Sequence, residues 1–158
     1  MAKVNKKPIV VGNIYGIPVS SGEHFPMLVT CAAGNNYLGY VFPFDSTQLE
    51  TKLKASNLQP RDSAFHLIFG VPPRSRVEWP VLYSLAGFCD QDWPIPCFAQ
   101  EDPLLGISWR LYFSRNDLSL WSRREQITPE EAKKLEYTGT LALGGVEARV
   151  ERLLGNKK

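Results

Sequence analysis

Between Val77 and Asp102 the chain contains no lysine or arginine, although eighteen basic residues are spread over the rest of it. Other scarcities exclude whole classes of chemistry. Only two histidines, His24 and His66, could act as the base that an activated nucleophile needs. Three cysteines, Cys31, Cys89 and Cys97, are an odd number with no C-x-x-C spacing. That argues against a disulfide framework and a zinc site, and suits free thiols in a reducing compartment. No stretch approaches the roughly eighteen apolar residues of a membrane span. Met1 to Lys7 is basic like the start of a secretory leader, but the apolar run behind it stops at Gly12-Asn13. A cytoplasmic protein is expected. No G-x-G-x-x-G occurs, and Gly139 to Gly145 lacks the Lys-Ser/Thr of a phosphate-binding loop. Neither a cofactor nor a metal is expected.

What is present reads as a folded domain. A length of 158 residues with 44% apolar and 22% charged residues is ordinary for one globular unit, placed at 8–155 with basic ends at 1–7 and 156–158. Twelve glycines and twelve prolines favour short elements joined by turns. Strands are expected over Pro8–Val19, Phe25–Cys31 and Tyr37–Phe42, separated by turns at Ser20-Ser21-Gly22 and Gly34-Asn35-Asn36. A helix should start after Asp45, with Gln48 completing a capping box and Phe44 stapling onto Leu49. Ala64–Phe69 reads as a strand covered on both faces, and Pro80 confines Val81–Leu85 to an edge.

The strongest alternation, Gly106 to Phe113, predicts a strand with Ile107, Trp109, Leu111 and Phe113 on one face. Leu118–Arg123 should complete its hairpin. Thr128-Pro129-Glu130-Glu131 opens a helix reaching Leu135, and another after Gly144-Gly145 places Val146, Val150, Leu153 and Leu154 together before Gly155. The fold class predicted is α+β: one antiparallel, strongly twisted sheet with two or three short helices, one of them C-terminal.

The cation-poor stretch carries five carboxylates, Glu78, Asp90, Asp92, Glu101 and Asp102, and five aromatic residues. Its rings read most simply as core residues on a proline-stiffened connection. Its acids have no local partner, and charges are seldom buried unpaired. They must face water, pair with distant arginines, or meet a cationic partner. Glu78, Asp90, Asp92, Glu101 and Asp102, with any exposed Trp79 or Trp93 as anchor, are therefore the candidate partner-binding residues.

Two other uses compete. His66 or His24 beside a cysteine could form an enzyme or ligand pocket. Arg110, Tyr112 and Arg123 on one face of the 106–124 hairpin, with Arg74, Arg76, Arg115 and Arg124 nearby, could contact nucleic acid. Arginines on exposed strands more often pair with acids, and phosphate would be repelled by the acidic stretch.

Three short motifs add a family resemblance. Gly12-Asn13-Ile14-Tyr15-Gly16-Ile17-Pro18-Val19 followed by Gly22, Trp79-Pro80-Val81-Leu82 with Asp92-Trp93-Pro94-Ile95-Pro96, and Gly145-Val146-Glu147-Ala148-Arg149 span most of the chain. Together they resemble a mostly-β family of bacterial immunity proteins from polymorphic-toxin systems, immunity family twenty-six. Asn13 stands where an acid is more usual, and Val19 replaces the common Leu. The resemblance implies a protein that neutralises a cognate toxin domain by stoichiometric binding, without turnover. Many such toxins are basic nucleases, for which the acids would take the place of phosphates.

Overall fold

Period-two alternation in the first seventy residues is apolar on both sides of the strand, so the sheet it forms must be covered twice. In the computed structural model, which describes residues 8–73, 75 and 77–155, that is what the chain builds. β1 (Asn13–Pro18), β2 (His24–Ala33), β3 (Asn36–Val41) and β4 (Phe65–Gly70) form an antiparallel meander. Tyr15, Ile17, Met27, Val29, Val41, Phe65, Leu67 and Phe69 face one core. Ile14, Leu28, Cys31, Leu38, Tyr40, Phe42 and Ile68 face another. Gly39 lies opposite Val29, and a Cβ there would stand 2.5 Å from the Met27 Sδ, so a side chain at this position would have to displace the buried Met27.

The first core is closed by α3 (Leu143–Val150) and the π-helical turn Glu151–Gly155, which contribute Val146, Val150 and Leu154. Leu153, expected on the same face, is 40% exposed. The second core takes Leu49 from α1 (Ser46–Lys54), whose start is the expected capping box: Asp45 accepts from the Gln48 N–H, and the Gln48 side chain accepts from the Asp45 N–H. β5 (Val81–Ser84) pairs with β1 at the sheet edge, after Pro80 and with a register shift. Short, bulged edge strands of this kind resist unwanted pairing.

The chain then leaves for a second sheet. β6 (Phe98–Asp102), β7 (Ile107–Tyr112) and β8 (Arg123–Ile127) are antiparallel, and β9 (Glu136–Tyr137) adds in parallel to β6. β10 (Thr140–Leu141) returns to pair in parallel with β4. The orders are β10-β4-β3-β2-β1-β5 and β8-β7-β6-β9. Phe98 and Leu118 enter the second core. The protein is thus α+β and mostly β, with two sheets in place of the single one expected.

Several boundaries differ from the sequence reading, α3 among them, since it begins at Leu143 and includes Gly144-Gly145. β1 begins at Asn13 because Gly12, at φ +92°, turns the chain there. β6 lies in a stretch read as connection. Pairing of β8 with β7 starts only at Arg123, because Asp117 Oδ1 accepts from the Ser119 and Leu120 N–H groups and Leu118 drops into the core. α2 (Pro129–Ala132) is one turn, capped by the Thr128 hydroxyl, and it lies over β7 so that Ser108 becomes buried. The expected basic ends, Arg74 and Arg76 lie outside the described residues. Among the described residues no helix is long and apolar enough to cross a membrane.

Candidate partner-binding surface

Residues 77 to 102 run from the first sheet to the second, and this path separates their aromatic from their acidic side chains. Trp79 is buried in the first core, edge-on to Phe69 at 5.7 Å, with its indole N–H donating to Glu147 Oε1 of α3 at 2.8 Å. Trp93 is 3% exposed in the second core and packs edge-on against Tyr40 and Phe42. Phe98 is also buried and meets His66 and Phe113. Neither tryptophan can therefore be the exposed anchor considered above. Proline-stiffened chain beside a bare sheet face offers its rings a core, which takes up Trp79, Trp93 and Phe98 and leaves Tyr83 and Phe88 partly exposed.

The acids remain outside. Glu78, Asp90, Asp92 and Glu101 are exposed and Asp102 is half-buried. The ion pairs among the described residues lie elsewhere: Lys52 with Asp62, and Arg110 with Glu125 and Glu131. Glu101 accepts a hydrogen bond from the Tyr137 hydroxyl at 2.9 Å, and Asp102 Oδ1 accepts from the N–H groups of Leu104 and Leu105 at 3.0 and 3.2 Å. None of these partners neutralises a carboxylate.

The 3₁₀ turn Asp90–Asp92 is held from below by Arg115. Its Nη2 donates to the carbonyl oxygens of Asp90 at 2.6 Å and Trp93 at 2.9 Å. The guanidinium grips the backbone of the turn and leaves both aspartate side chains at the surface. Beneath it, the Cys31 thiol donates to the Arg115 carbonyl at 3.6 Å. Burial pushes that thiol up, with Arg115 opposing.

Sequence reasoning missed the tip of the β6–β7 hairpin. Leu104 is 94% and Leu105 71% exposed, the two most exposed large apolar side chains described. The signal was present in Asp102-Pro103-Leu104-Leu105-Gly106, where two leucines occupy turn positions that polar residues normally fill.

Two clefts flank β5. One, of about 690 Å³, lies between the end of α1 and the 83–93 loop, with Lys52, Leu58, Phe88 and Asp92 on its walls. The other, of about 460 Å³, includes His24, Phe44, Asp45 and Leu82. Tyr83 borders both, and its hydroxyl donates to Glu50 Oε1 at 2.9 Å, which raises its pKa. Neither cleft joins a histidine to a cysteine.

His66 lies between the rings of Tyr40 and Phe98, at 5.8 and 5.3 Å, and its Nε2 has no hydrogen-bond partner among the described residues. Burial pushes its imidazole down to about 4. Among the described residues no three His, Cys, Asp or Glu side chains are grouped to hold a metal.

The hairpin arginines are occupied locally. Arg110 meets Glu125 and Glu131, the Arg123 guanidinium sits 3.8 Å above the Tyr112 ring, and Arg124 lies 4.0 Å above Trp109. The expected face of Arg110, Tyr112 and Arg123 exists, since Tyr112 pairs with Arg123 and Arg110 with Glu125, but an acid sits in its middle. Comparison of the chain with protein-family models, with curated proteins and with solved structures finds no match to any of them.

Proposed function

We propose that this protein is a cytoplasmic immunity-type protein of bacteria, which neutralises a cognate toxin domain by stoichiometric protein–protein contact and catalyses no reaction. The observation that supports this most directly is the state of the acids in 77–102. Four of the five are exposed and Asp102 is half-buried, and no described cation lies within ion-pair distance of them. A surface built that way attracts a basic partner over long range and accelerates its capture. The family resemblance in the three motifs points to the same partner class.

The test uses the C-terminal domain of the protein encoded by the reading frame immediately upstream. Its association with the wild type and with Asp90→Lys/Asp92→Lys is followed by stopped flow across a range of salt concentrations. Because Arg115 holds backbone carbonyls in this turn, the double reversal leaves the frame in place. The expected result is association about tenfold slower at low salt, with a flatter salt dependence. Equal rates for the two proteins at every salt concentration would remove Asp90 and Asp92 from the interface.

A further inference from the structure

The acids account for attraction, but slow release needs buried apolar contact, and Trp79 and Trp93 are committed to the core. We infer that the β6–β7 hairpin tip is the apolar anchor: Leu104 and Leu105 insert into an apolar pocket, rimmed by lysine or arginine, on the basic toxin partner. This rests on the binding function proposed above and names the contact that would hold the complex together.

The tip is built to present these two side chains. Asp102 accepts from both leucine N–H groups through one carboxylate oxygen, and its carbonyl accepts from the Gly106 N–H at 2.8 Å. Gly106 closes the turn at φ +66°, a conformation that residues with a Cβ seldom adopt. Pro103 fixes a further dihedral. The backbone that carries the leucines is thus set before any partner arrives, which lowers the part of the entropy lost on docking that comes from ordering the loop. Exposed apolar pairs in turns are otherwise avoided because they invite aggregation.

The flanking charges select the occupant. Glu101 and Asp102 stand at the base of the knob, so its receptor must be apolar at the centre and cationic at the rim. A two-fold contact between copies of this chain through the same knob would set each pair of acids against its own counterpart. An anionic membrane surface would repel them as well. A basic protein satisfies both parts of the surface.

The measurement is the dissociation rate of the complex with the upstream-encoded C-terminal domain, for wild type, Leu104→Ser/Leu105→Ser and Leu104→Met/Leu105→Met. The serine pair is expected to dissociate about 100-fold faster with little change in association rate, and the methionine pair to stay within about fivefold of wild type. The exposed tip contributes little to the fold, so the unfolding midpoints of all three should coincide. If the wild type binds and the serine pair dissociates no faster, the anchor is not at this tip, while the binding function stands. If the wild type does not bind that domain, both inferences fall. A concentration-dependent dimer of the protein alone that the serine pair abolishes would make the occupant a second copy, and would also overturn the assignment.

Discussion

Replacing Arg115 by methionine separates the frame of the acidic turn from its charge. The guanidinium makes two hydrogen bonds to carbonyls, at Asp90 and Trp93. Bonds with one charged member are worth about 1.5–3 kcal/mol each when shielded from water. The Asp90 oxygen is at the surface, where water can replace the lost donor, so that bond counts for little. The Trp93 oxygen is partly buried and would be left without its donor. Against this, Arg115 Nη1 is itself buried without a described partner, and removing it relieves a desolvation cost. Methionine retains most of the aliphatic packing. The net loss works out at about 2 kcal/mol, which in urea corresponds to a midpoint about 1 M lower.

Stability alone would not locate the effect, so the second readout is Cys31. Its thiol lies beneath Arg115 and is buried, and a loosened 90–93 turn should let a thiol reagent reach it faster in native buffer. The exposed Cys89 provides the internal reference rate. Lysine at 115 can reach only one carbonyl at a time and should restore about half of the lost stability. An unchanged midpoint together with unchanged Cys31 protection in Arg115→Met would mean that Trp93 alone pins the turn, and the role given to Arg115 would be wrong.

The buried imidazole makes stability depend on pH. His66 titrates near 4 when folded and near 6.5 when unfolded, so on acidification the unfolded chain takes the proton first. Stability should be intact above pH 6.5 and fall between 6.5 and 4, by about 1–2 kcal/mol after allowance for the ring's partial exposure. His66→Phe, measured by urea unfolding at both pH values, should flatten that slope, and an equal slope in the variant would refute the assignment. Trp79→Phe removes the bond to Glu147 and part of a buried ring, and should lower stability by about 1–2 kcal/mol. Its association rate with the upstream-encoded domain should not change. A slower rate at unaltered stability would show that the indole contacts the partner after all.

The legible parts of the fold were those in which neighbours along the chain decide the outcome. The Asp45–Gln48 capping box, the Thr128 cap, the turn glycines and the alternation of β1 to β4 are settled within a few residues, and each expected element is there. β6 escaped notice because Phe98-Ala-Gln-Glu-Asp102 is apolar only at its first two positions. It becomes a strand because β7 pairs with it through five residues in register, a gain that only tertiary structure supplies. The second sheet was invisible for the same reason, since β9 contributes two residues and joins β6 across a long separation in sequence. At the candidate site, the argument that charges avoid burial left the acids to face water, distant arginines or a partner, and four of the five are exposed. The tryptophans could not be placed from sequence, because an indole beside an acid satisfies an interface and a core equally well. Their positions depend on α3 and Tyr40 lying opposite them.

That partition also explains why one stretch holds so many acids and no cation. Its rings join the two sheets through cores on both faces of the first, so its backbone is fixed at Trp79, Trp93 and Phe98. Between Trp79 and Trp93, and again beyond Phe98, the chain turns at the surface, and the turn residues Asp90, Asp92 and Asp102 are aspartates. A lysine or arginine among them would fold back onto the nearest carboxylate and neutralise the surface, as Arg110 does with Glu125 and Glu131 in the neighbouring hairpin. Arg115, the one cation that reaches the turn among the described residues, approaches from the core side and spends its hydrogen bonds on carbonyls. The acids of this segment are therefore placed by packing and have no ion-pair partner among the described residues. A surface of that kind contributes little to folding, because exposed charges add little to stability.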